Sequence, residues 1–555
     1  MTYNARPEPD YQALEFDYTR SPDQDAPVPA RHPVIVVGAG PVGLALAIDL
    51  AQRGIRVLLL DNDHKLSHGS RAICFSKRTL EIFDRLGCGQ RLVDKGVSWN
   101  RGRVFFEDQP VYSFDLLPEE GHERPAFINL QQYYLEGYLV ERAMELPNLE
   151  IRWRNAVSAV VNTPDGVTLT VDTPDGPYSL RADWLAACDG SRSTLRGLLG
   201  QEVKGRVFRD RFLIADIKVN GDLIPGGATE RWFWFDPPFH PRQSVLLHRQ
   251  PDNVWRVDFQ LGWDADPDEE KKPEHVLPRV RALLAHGGLG DADFSLQWAS
   301  VYTFACTRME HFRHGRVFFV GDAAHGVSPF GARGANSGVQ DAENLAWKLA
   351  RVIGGDVSAS AAEALLDSYA TERECAADEN LLNSTRATDF ITPKSEVSRL
   401  FRDAVLTLSR DHAFARRLVN SGRLSVPCVL RDSPLNTPDT DTFDGLMIPG
   451  ATAADAPLRC GGADAWLLRR LGHDFTLLVF GAAPAWAGEL PVRTLVIDGK
   501  AALDRDGCLQ RRYDATPGTA YLLRPDQHVC ARWRHPSAAA VRAALARATC
   551  EEATA

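Results

Sequence analysis

Residues 34–61, VIVVGAGPVGLALAIDLAQRGIRVLLLD, decide the fold of this chain. The segment predicts a strand over residues 34–37, a glycine turn, a helix that ends near Gly54 and a second strand over residues 56–60. A strand, a helix and a parallel strand in this order form one βαβ unit. The chain therefore opens with a fold of the nucleotide-binding type.

The glycine turn of this unit has the spacing of a dinucleotide-binding motif. Gly38 permits the tight turn, Gly40 lets a pyrophosphate approach the backbone, and Gly43 lets the helix and the strand pack closely. The helix N-terminus at Pro41 then faces the phosphates. Asp61 closes the second strand about twenty residues after the turn, where an acid accepts hydrogen bonds from ribose hydroxyls. The motif alone leaves the identity of the dinucleotide open.

The composition bounds the size and setting of the protein. At 555 residues the chain exceeds one hydrophobic core, so we expect two or three domains. The net charge of −10 comes from interspersed charges, and no stretch is apolar for long enough to cross a bilayer. We therefore expect no nucleic-acid partner and no membrane partner.

The cysteines and the N-terminus indicate a cytoplasmic protein. The ten cysteines form neither a Cys-x-x-Cys pair nor a Cys/His cluster at metal-ligand spacing. We expect reduced thiols and no metal site. Residues 1–30 are polar and lack the apolar core of a secretory signal, so we expect a loosely attached N-terminal arm.

Three downstream segments carry a resemblance to a known family. They are AACDGSRSTLR at residues 186–196, GRVFFVGDAAH at residues 315–325 and PFGARGAN at residues 329–336, followed by DAENLAWKLA. In order and spacing the set resembles FAD-dependent aromatic hydroxylases of the 3-(3-hydroxyphenyl)propionate hydroxylase and phenol hydroxylase type. The resemblance covers roughly residues 30 to 540.

The resemblance implies an α/β fold with a Rossmann-like FAD-binding domain, an inserted antiparallel-sheet substrate domain and a C-terminal thioredoxin-like domain. A redox thioredoxin needs two cysteines after the first strand of this last domain, where the chain has GAAPAW at residues 481–486. We expect this domain to be a structural cover or an oligomer contact in a homodimer. The expected boundaries are residues 1–30 for the arm, 31–200 and 299–390 for the FAD-binding domain, 201–298 for the substrate sheet, 391–440 for a helical connector and 441–555 for the thioredoxin-like domain without Cys-x-x-Cys.

The glycine motif and the resemblance together predict the cofactor-binding residues. Other readings stay open for four of them: Asp322 could be a helix N-cap, Asp189 part of a plain turn, Arg71 a surface residue, and Gln132 a helix start with Gln131 beside it. The predicted FAD-binding residues are Gly38, Gly40, Pro41, Gly43, Asp61, Arg71, Gln132, Asp189, Gly321, Asp322, Pro329, Gly334, Ala335 and Asn336.

The substrate residues are predicted from the strand-rich region. In WFWFDP at residues 232–237, Trp232 and Trp234 resemble part of the Trp-x-Trp-x-Ile-Pro signature of flavin-dependent halogenases, with Asp236 in place of the isoleucine. Alternating aromatic residues also form one packed face of a sheet. We predict that substrate contacts come from Trp232, Trp234, His248, Arg256 and Asp258, each of which could equally be structural.

The resemblance implies a monooxygenase reaction. NADPH or NADH would reduce FAD, O2 would add to give the flavin C4a-hydroperoxide, and a small phenolic substrate would be hydroxylated. The protein must supply a dry pocket and a base or hydrogen-bond chain, for which His248 is the candidate. The alternatives are another oxygenation, such as epoxidation, or halogenation on the same fold, and a flavin-binding or thioredoxin-like interaction protein without turnover.

Overall fold

A computed structural model describes residues 14–67, 72–219, 222–224, 229–419, 424 and 426–552. The predicted FAD-binding residue Arg71 lies outside these residues. The first part of the chain contains β1 (Ala30–Val37), α1 (Pro41–Gln52), β2 (Val57–Leu60), β3 (Cys74–Ser76), α2 (Lys77–Leu86), α3 (Gly89–Lys95), β4 (Val97–Trp99), β5 (Arg101–Phe106), β6 (Gln109–Asp115), β7 (Phe127–Asn129), α4 (Gln132–Met144), β8 (Leu149–Arg152), β9 (Ala156–Thr163), β10 (Gly166–Asp172), β11 (Tyr178–Ala187) and α5 (Thr194–Leu198).

The middle part carries the second sheet and the long helices. Its elements are β12 (Val203–Val219), β13 (Arg231–Phe235), β14 (Ser244–Arg249), β15 (Val254–Leu261), α6 (Pro267–Glu270), α7 (Pro273–His286), β16 (Phe294–Met309), β17 (Arg313–His314), β18 (Val317–Phe319), β19 (His325–Gly326), α8 (Gly334–Gly354), α9 (Ala359–Ile391), α10 (Glu396–Ser409) and α11 (Ala413–Arg416).

The last part is smaller. Its elements are β20 (Pro457–Cys460), β21 (Ala463–Trp466), α12 (Leu467–Arg470), β22 (Thr476–Phe480), β23 (Arg493–Ile497), β24 (Ala502–Asp504), α13 (Cys508–Arg512), β25 (Ala520–Leu523), β26 (Val529–Trp533) and α14 (Ala538–Ala548). In the described ranges, none of the helices combines the length and apolar character that crossing a membrane requires.

A parallel sheet forms the centre of the first domain. Its strand order is β17-β18-β11-β1-β2-β8, and β1, β2, β8, β11 and β18 run in parallel. The strands are apolar and buried, as expected for a sheet covered on both faces. Because β18 follows the second domain in sequence, the chain leaves this sheet and returns to it.

An eight-stranded sheet forms the second domain, with strand order β19-β16-β12-β15-β14-β13-β5-β6. Here the expected boundaries at residues 200/201 and 298/299 need correction. Strands β5 and β6 precede residue 200, and most of β16 follows residue 298. The cause is the long-range parallel pairing of β13 with β5, which local sequence patterns do not reveal.

The two faces of this second sheet have different neighbours. One face packs against the loop before α8, where the ring centroids of Phe212 and Phe330 lie 4.8 Å apart. The opposite face packs on α7, which buries Val276, Val280 and Leu283 against it. We call the first the inner face and the second the outer face. Side chains alternate between them along each strand.

The third domain is tied to the first by buried charges. Its four-stranded sheet has the order β23-β22-β25-β26, and its likeness to thioredoxin stays a prediction. In the loop between β25 and β26, fully buried Arg524 pairs with Glu372 of α9, and the backbone oxygen of Asp526 accepts a hydrogen bond from Arg78 of α2 at 2.9 Å. The indole of Trp347 on α8 donates to the Asp526 carboxylate. The loop thus holds α2, α8 and α9 together.

The described part of the N-terminal arm is more firmly attached than its polar composition predicts. The rings of Phe16 and Trp153 stack with centroids 4.2 Å apart. Asp23 accepts hydrogen bonds from Arg152 at 2.6 Å and pairs with His32 at 3.0 Å. The expectation of a loose arm is therefore wrong for this stretch, because its charged residues have partners on the first domain.

Candidate active site

The predicted motifs converge at one edge of the parallel sheet. Strands β1, β2, β11 and β18 are parallel, so their carboxyl ends lie at the same edge. The glycine turn follows β1, Asp61 follows β2, Asp189 follows β11, and Gly321 with Asp322 follows β18. In open sheets of this kind, ligands bind at the carboxyl edge.

The three glycines of the turn have different surroundings: two are tightly packed, and one borders open space. A Cβ atom on Gly43 would lie 1.9 Å from the carbonyl oxygen of Gly38, and one on Gly38 would lie 2.4 Å from the carbonyl oxygen of Cys188. A Cβ atom on Gly40 would meet no described atom within 4 Å. Gly40 therefore borders open space at the N-terminus of α1, as a pyrophosphate requires. The residues present fit a dinucleotide.

Asp61 stands beside this turn as a half-buried carboxylate. Its Oδ2 accepts a hydrogen bond from the amide of Ala39 at 2.5 Å, and its Oδ1 accepts one from the amide of Asp63 at 2.7 Å. Burial raises the pKa of Asp61 despite these two hydrogen bonds. A carboxylate held at the end of β2 is suited to accept hydrogen bonds from ribose hydroxyls.

Asp189 contacts the start of the short helix α5, whose N-cap is Ser193. Its Oδ2 accepts a hydrogen bond from the amide of Leu195 at 3.0 Å, while its buried Oδ1 has no hydrogen-bond partner in the described part of the chain. Arg196, in the same segment, donates to the carbonyl oxygen of Ala323 at 2.8 Å. The turn reading and a ligand role are both compatible with this geometry.

The turn after β18 is positioned by a residue that sequence reasoning missed. Asp341 of α8 accepts hydrogen bonds from the amide of Gly321 at 3.1 Å and from Arg373 at 2.6 Å, and it pairs with His325 at 2.6 Å. Arg373 and His325 hold the pKa of this buried carboxyl below its usual range against the opposing effect of burial. Asp322, next to Gly321, is exposed at the sheet edge.

The loop before α8 brings backbone amides to the same edge. Gly331 and Ala332 have φ values of +98° and +51°, and α8 then begins at Gly334, followed by half-buried Ala335. Pro329, at the start of the loop, is exposed. A helix N-terminus at this place can stabilise negative charge on a bound ligand.

The side chain of Asn336 is occupied by the protein itself. Its Nδ2 donates to the carbonyl oxygens of Cys74 at 2.9 Å and Ala332 at 2.6 Å, and its Oδ1 accepts from the amide of Ser76 at 2.8 Å. Asn336 therefore ties α8 to β3. The contact of Asn336 with FAD remains a prediction. Because the side chain is engaged by the protein, this contact would have to come from the backbone of Asn336.

Two adjacent glutamines stand near the start of α4. Gln132 accepts a hydrogen bond from the amide of Ala72 at 3.1 Å and donates to Glu136 at 2.7 Å. Gln131 is buried and donates to the carbonyl oxygen of Pro251 at 3.3 Å. Gln132 and Gln131 both have protein partners for their side chains. The geometry therefore does not decide between an FAD contact and a helix start for Gln132, or between Gln132 and Gln131 as the FAD-binding residue.

The tryptophans predicted to line the substrate wall lie on the outer face. Trp232 and Trp234 pack with Phe105 and with the leucines of α7, away from the loop before α8. Phe233 and Phe235, the alternate residues of β13, lie on the inner face. The predicted substrate contacts of Trp232 and Trp234 stay a prediction, because sequence alternation does not say which face of a strand meets a ligand.

A cavity lies between the inner face and the loop before α8. About 530 Å³ of empty space lies there, including space that is open to solvent. Its lining comes from β5, β13, β14, this loop, the end of α9 and the segment after α11, and consists of Val104, Arg231, Phe233, Phe235, Leu246, Phe330, Gly331, Arg333, Ala387, Ile391, Val419 and Leu424. An aromatic cavity with few polar groups is typical of a small-molecule site.

His248 lies on the inner face behind this cavity. Its Nε2 pairs with Asp258 Oδ2 at 3.0 Å, and its Nδ1 lies 4.0 Å from the sulfur of Cys74. Burial and the nearby Arg231 lower the pKa of His248 to about 4. The imidazole is therefore neutral near pH 7 and can accept a hydrogen bond at one nitrogen while Asp258 holds the other.

Arg256, also predicted to hold a substrate, is engaged elsewhere. Its guanidinium makes two hydrogen bonds of 2.7 Å with the carboxylate of Asp216, and both groups are buried. A bidentate pair of this kind fixes the orientation of both side chains. The geometry supports a structural role for Arg256.

Comparisons with known proteins agree with this geometry. A family model described as an FAD binding domain matches residues 31–384. A probable NADH-specific resorcinol 4-hydroxylase from Rhodococcus jostii is 29% identical over 523 residues, covering 89% of this chain and 91% of the relative. A 3-(3-hydroxy-phenyl)propionate/3-hydroxycinnamic acid hydroxylase from Mycolicibacterium smegmatis is 28% identical, covering 89% of each chain. The crystal structure of the flavin-dependent monooxygenase PieE with FAD and substrate has the same fold, with a TM-score of 0.78 at 23% identity, covering 95% of this chain and 100% of that one.

Proposed function

The chain belongs to the FAD-binding-domain family of flavin-dependent aromatic hydroxylases, and from that membership we propose that it uses NAD(P)H and O2 to hydroxylate a phenolic substrate. The observation that carries the proposal is the aromatic cavity between the inner face and the loop before α8. Phe330 and Gly331 line it, and they lead directly into the helix N-terminus expected to face the flavin.

The protein residues would hold FAD along the carboxyl edge of the parallel sheet. Gly40 and the first turn of α1 would receive the pyrophosphate, and Asp61 would accept hydrogen bonds from a ribose. The first turn of α8 would stabilise negative charge on the ring. Reduced FAD supplies the activation of dioxygen, which is the chemistry that no side chain provides.

The cavity would orient the phenol and exclude water. Phe233 and Phe330 supply apolar walls, and Arg231 is the polar group on β13. Low polarity strengthens the hydrogen bonds and charges that act on the substrate.

His248 would act through its neighbours. Because it is separated from the cavity by Arg231 and Cys74, it would hold the hydrogen-bond chain from the cavity to Asp258 rather than touch the phenol. Replacing His248 with Asn should slow hydroxylation roughly 10-fold, below the effect of a direct general base. Unchanged turnover in stopped-flow measurements would remove His248 from the mechanism.

A substrate screen tests the proposed function. Purified protein is loaded with FAD, and NADH and NADPH oxidation are measured over phenols and phenolic acids, with peroxide release and product mass recorded together. We expect a yellow protein and at least one product that carries an added oxygen atom. A colourless protein that cannot bind FAD, or oxidation that yields only peroxide with every compound, would overturn the proposal.

The oligomeric state is tested separately. The homodimer expected from the sequence stays a prediction, and the exposed apolar side chains Val397, Leu400 and Phe401 of α10 are where we propose that its contact lies. Light scattering of the wild type and of Phe401→Ser measures this directly. A monomeric wild type at micromolar concentration would contradict it.

A further inference from the structure

A second cavity lies on the outer face of the second sheet. We call it the outer cavity, and the cavity between the inner face and the loop before α8 the inner cavity. About 660 Å³ of empty space lies in the outer cavity, including space that is open to solvent. Phe105, Trp232 and Trp234 line it on the sheet, and Leu283 and Leu284 line it on α7. A cavity of this size with apolar walls is typical of a small-molecule site.

Three aromatic rings form the sheet side of the outer cavity. The rings of Phe105 and Trp234 stack with centroids 5.4 Å apart. The ring of Trp232 lies 5.0 Å from that of Phe105 and 5.3 Å from that of Trp234. Aromatic rings attract a further ring in stacked or edge-on arrangements at such distances. The walls therefore suit an aromatic ligand.

Trp234 brings an unused hydrogen-bond donor to the outer cavity. The residue is 4% exposed, and its indole nitrogen is not completely buried and donates no hydrogen bond within the described part of the chain. Trp232 differs, since its indole nitrogen donates to Glu230 Oε2 at 3.1 Å. A buried indole N–H normally has a partner, and leaving it unpaired costs free energy that an acceptor on a ligand would remove.

The charges around the outer cavity disfavour an anionic ligand. The Asp108 side chain lines the cavity and is 61% exposed, with its Oδ1 3.5 Å from Nε2 of His286. Glu230, next to Trp232, already pairs with Arg103. Among the described residues that line the cavity, none is a lysine or an arginine. An anion would meet the Asp108 carboxylate with little compensation for its lost hydration.

We propose that the outer cavity binds a small uncharged aromatic compound whose oxygen accepts a hydrogen bond from the indole of Trp234. A ring that carries a carbonyl group or an un-ionised phenol has the required shape and acceptor. This second site is separate from the inner cavity, because Phe233 and Phe235, the alternate residues of β13, line the inner one. The proposal goes beyond the proposed function, since binding here needs no turnover.

The test follows the indole N–H groups directly. The full-length protein with FAD is labelled with ¹⁵N at the tryptophan indoles and titrated with acetophenone, and separately with benzoate, which has a similar size but a negative charge. The resonances of the two cavity tryptophans are assigned by their loss from Trp232→Phe and Trp234→Phe. The flavin spectrum is recorded in parallel, because a ligand in the inner cavity is expected to change it.

We expect acetophenone to move the indole proton of Trp234 downfield in a saturable manner and to slow its exchange with water. The indole proton of Trp232 should move less, because it stays bonded to Glu230. Benzoate should bind about 10-fold more weakly or worse. A change in the flavin spectrum without a change at Trp234 would place the ligand in the inner cavity alone and would overturn the proposal.

The variants separate the donor from the walls. In Trp234→Phe, followed through the Trp232 resonance, the affinity for acetophenone should fall about 3- to 10-fold. The matched control is Trp263→Phe, because Trp263 is 47% exposed, lies outside the cavity lining and donates to Asp210 at 3.1 Å. It should bind acetophenone like the wild type. Equal affinities of Trp234→Phe and Trp263→Phe, or benzoate binding as tightly as acetophenone, would overturn the proposal.

The result is independent of the proposed function. The titration contains no NAD(P)H, so a protein that hydroxylates no phenol can still show the outer site, and an active enzyme can lack it. If Trp234→Phe does not fold, the indole proton of Trp234 in the wild type decides. A resonance of Trp234 that stays unmoved at saturating acetophenone would reject the site.

Discussion

The carboxyl edge of the parallel sheet and the inner face of the second sheet are built in opposite ways. At the edge, the site is formed mainly by the backbone of the glycine turn, in which Gly38, Gly40 and Gly43 stand within six consecutive residues. At the inner face, side chains from separate strands meet, such as Arg231 of β13 and His248 of β14. The difference teaches that the proposed cofactor site is local in sequence, whereas the proposed substrate site is not.

The largest expected effect comes from a substitution at Gly43, the glycine that packs helix α1 against the turn at the sheet edge. Gly43→Ala would place a Cβ atom 1.9 Å from the carbonyl oxygen of Gly38, a backbone atom that cannot move aside. We expect a loss of about 3 kcal/mol or more in the free energy of unfolding, and no holoenzyme. Thermal unfolding and FAD content measure this. Wild-type stability in the variant would show that the turn is not packed as described.

The matched change at Gly40 separates packing from binding. Gly40→Val adds a side chain where the described atoms leave open space, so the apoprotein should keep its melting temperature. FAD affinity should fall about 100-fold, since the added side chain occupies the place of the pyrophosphate. Fluorescence titration of FAD into the apoprotein gives the dissociation constant. Unchanged affinity would mean that the dinucleotide lies elsewhere.

On the inner face, His248 makes stability depend on pH. Its pKa falls from an ordinary value near 6.5 to about 4 on burial, so the unfolded chain takes up the proton first as pH decreases. The contribution of the neutral His248 to the free energy of unfolding is fully present above pH 6.5 and is lost between about pH 6.5 and 4. The loss is about 2 kcal/mol at pH 5. The pKa of Asp258 lies below its ordinary value, so the stability that this carboxylate contributes is lost only at lower pH.

The variant His248→Asn isolates this contribution. The rest of the chain is common to both proteins, so the difference in unfolding free energy between wild type and variant should narrow by about 2 kcal/mol from pH 7 to pH 5. Urea unfolding at both pH values measures it. A difference independent of pH would contradict a neutral, buried His248.

The smallest effect tests which face of β13 meets the substrate. Phe233→Leu changes the inner cavity, whereas Trp234→Phe changes the packing against α7. We expect Phe233→Leu to raise the KM for the phenol about 3- to 10-fold and Trp234→Phe to leave it unchanged, because one removed ring contact is worth about 1 kcal/mol. The reverse pattern would restore the tryptophans as the substrate wall.

The sequence predicted most of the edge and little of the inner face, and the reason is physical. Glycine spacing encodes local backbone geometry, so the turn at residues 38–43 could be read directly. The helix predicted to end near Gly54 is likewise present, as α1 over Pro41–Gln52. Both depend on residues that are neighbours along the chain.

What escaped prediction depends on contacts between distant segments. Asp341 sits on a helix among both polar and apolar residues, and only its hydrogen bond to the amide of Gly321 shows that it positions the turn after β18. The parallel pairing of β13 with β5 has no local sequence signal. Arg231, one of many arginines in the chain, becomes distinctive only through its burial and its lack of an ion pair with any described carboxylate.

One measurement tests the central claim that this flavin-dependent chain inserts oxygen into a phenolic substrate held at the inner face. The enzyme is supplied with isotopically heavy dioxygen, NAD(P)H and the best phenolic acid, and the product is analysed by mass spectrometry. We predict one heavy oxygen atom in the ring hydroxyl of the product, and about 3- to 10-fold less product from Phe233→Leu than from Trp234→Phe at limiting substrate. Unlabelled product, or equal yields from the two variants, would contradict the account.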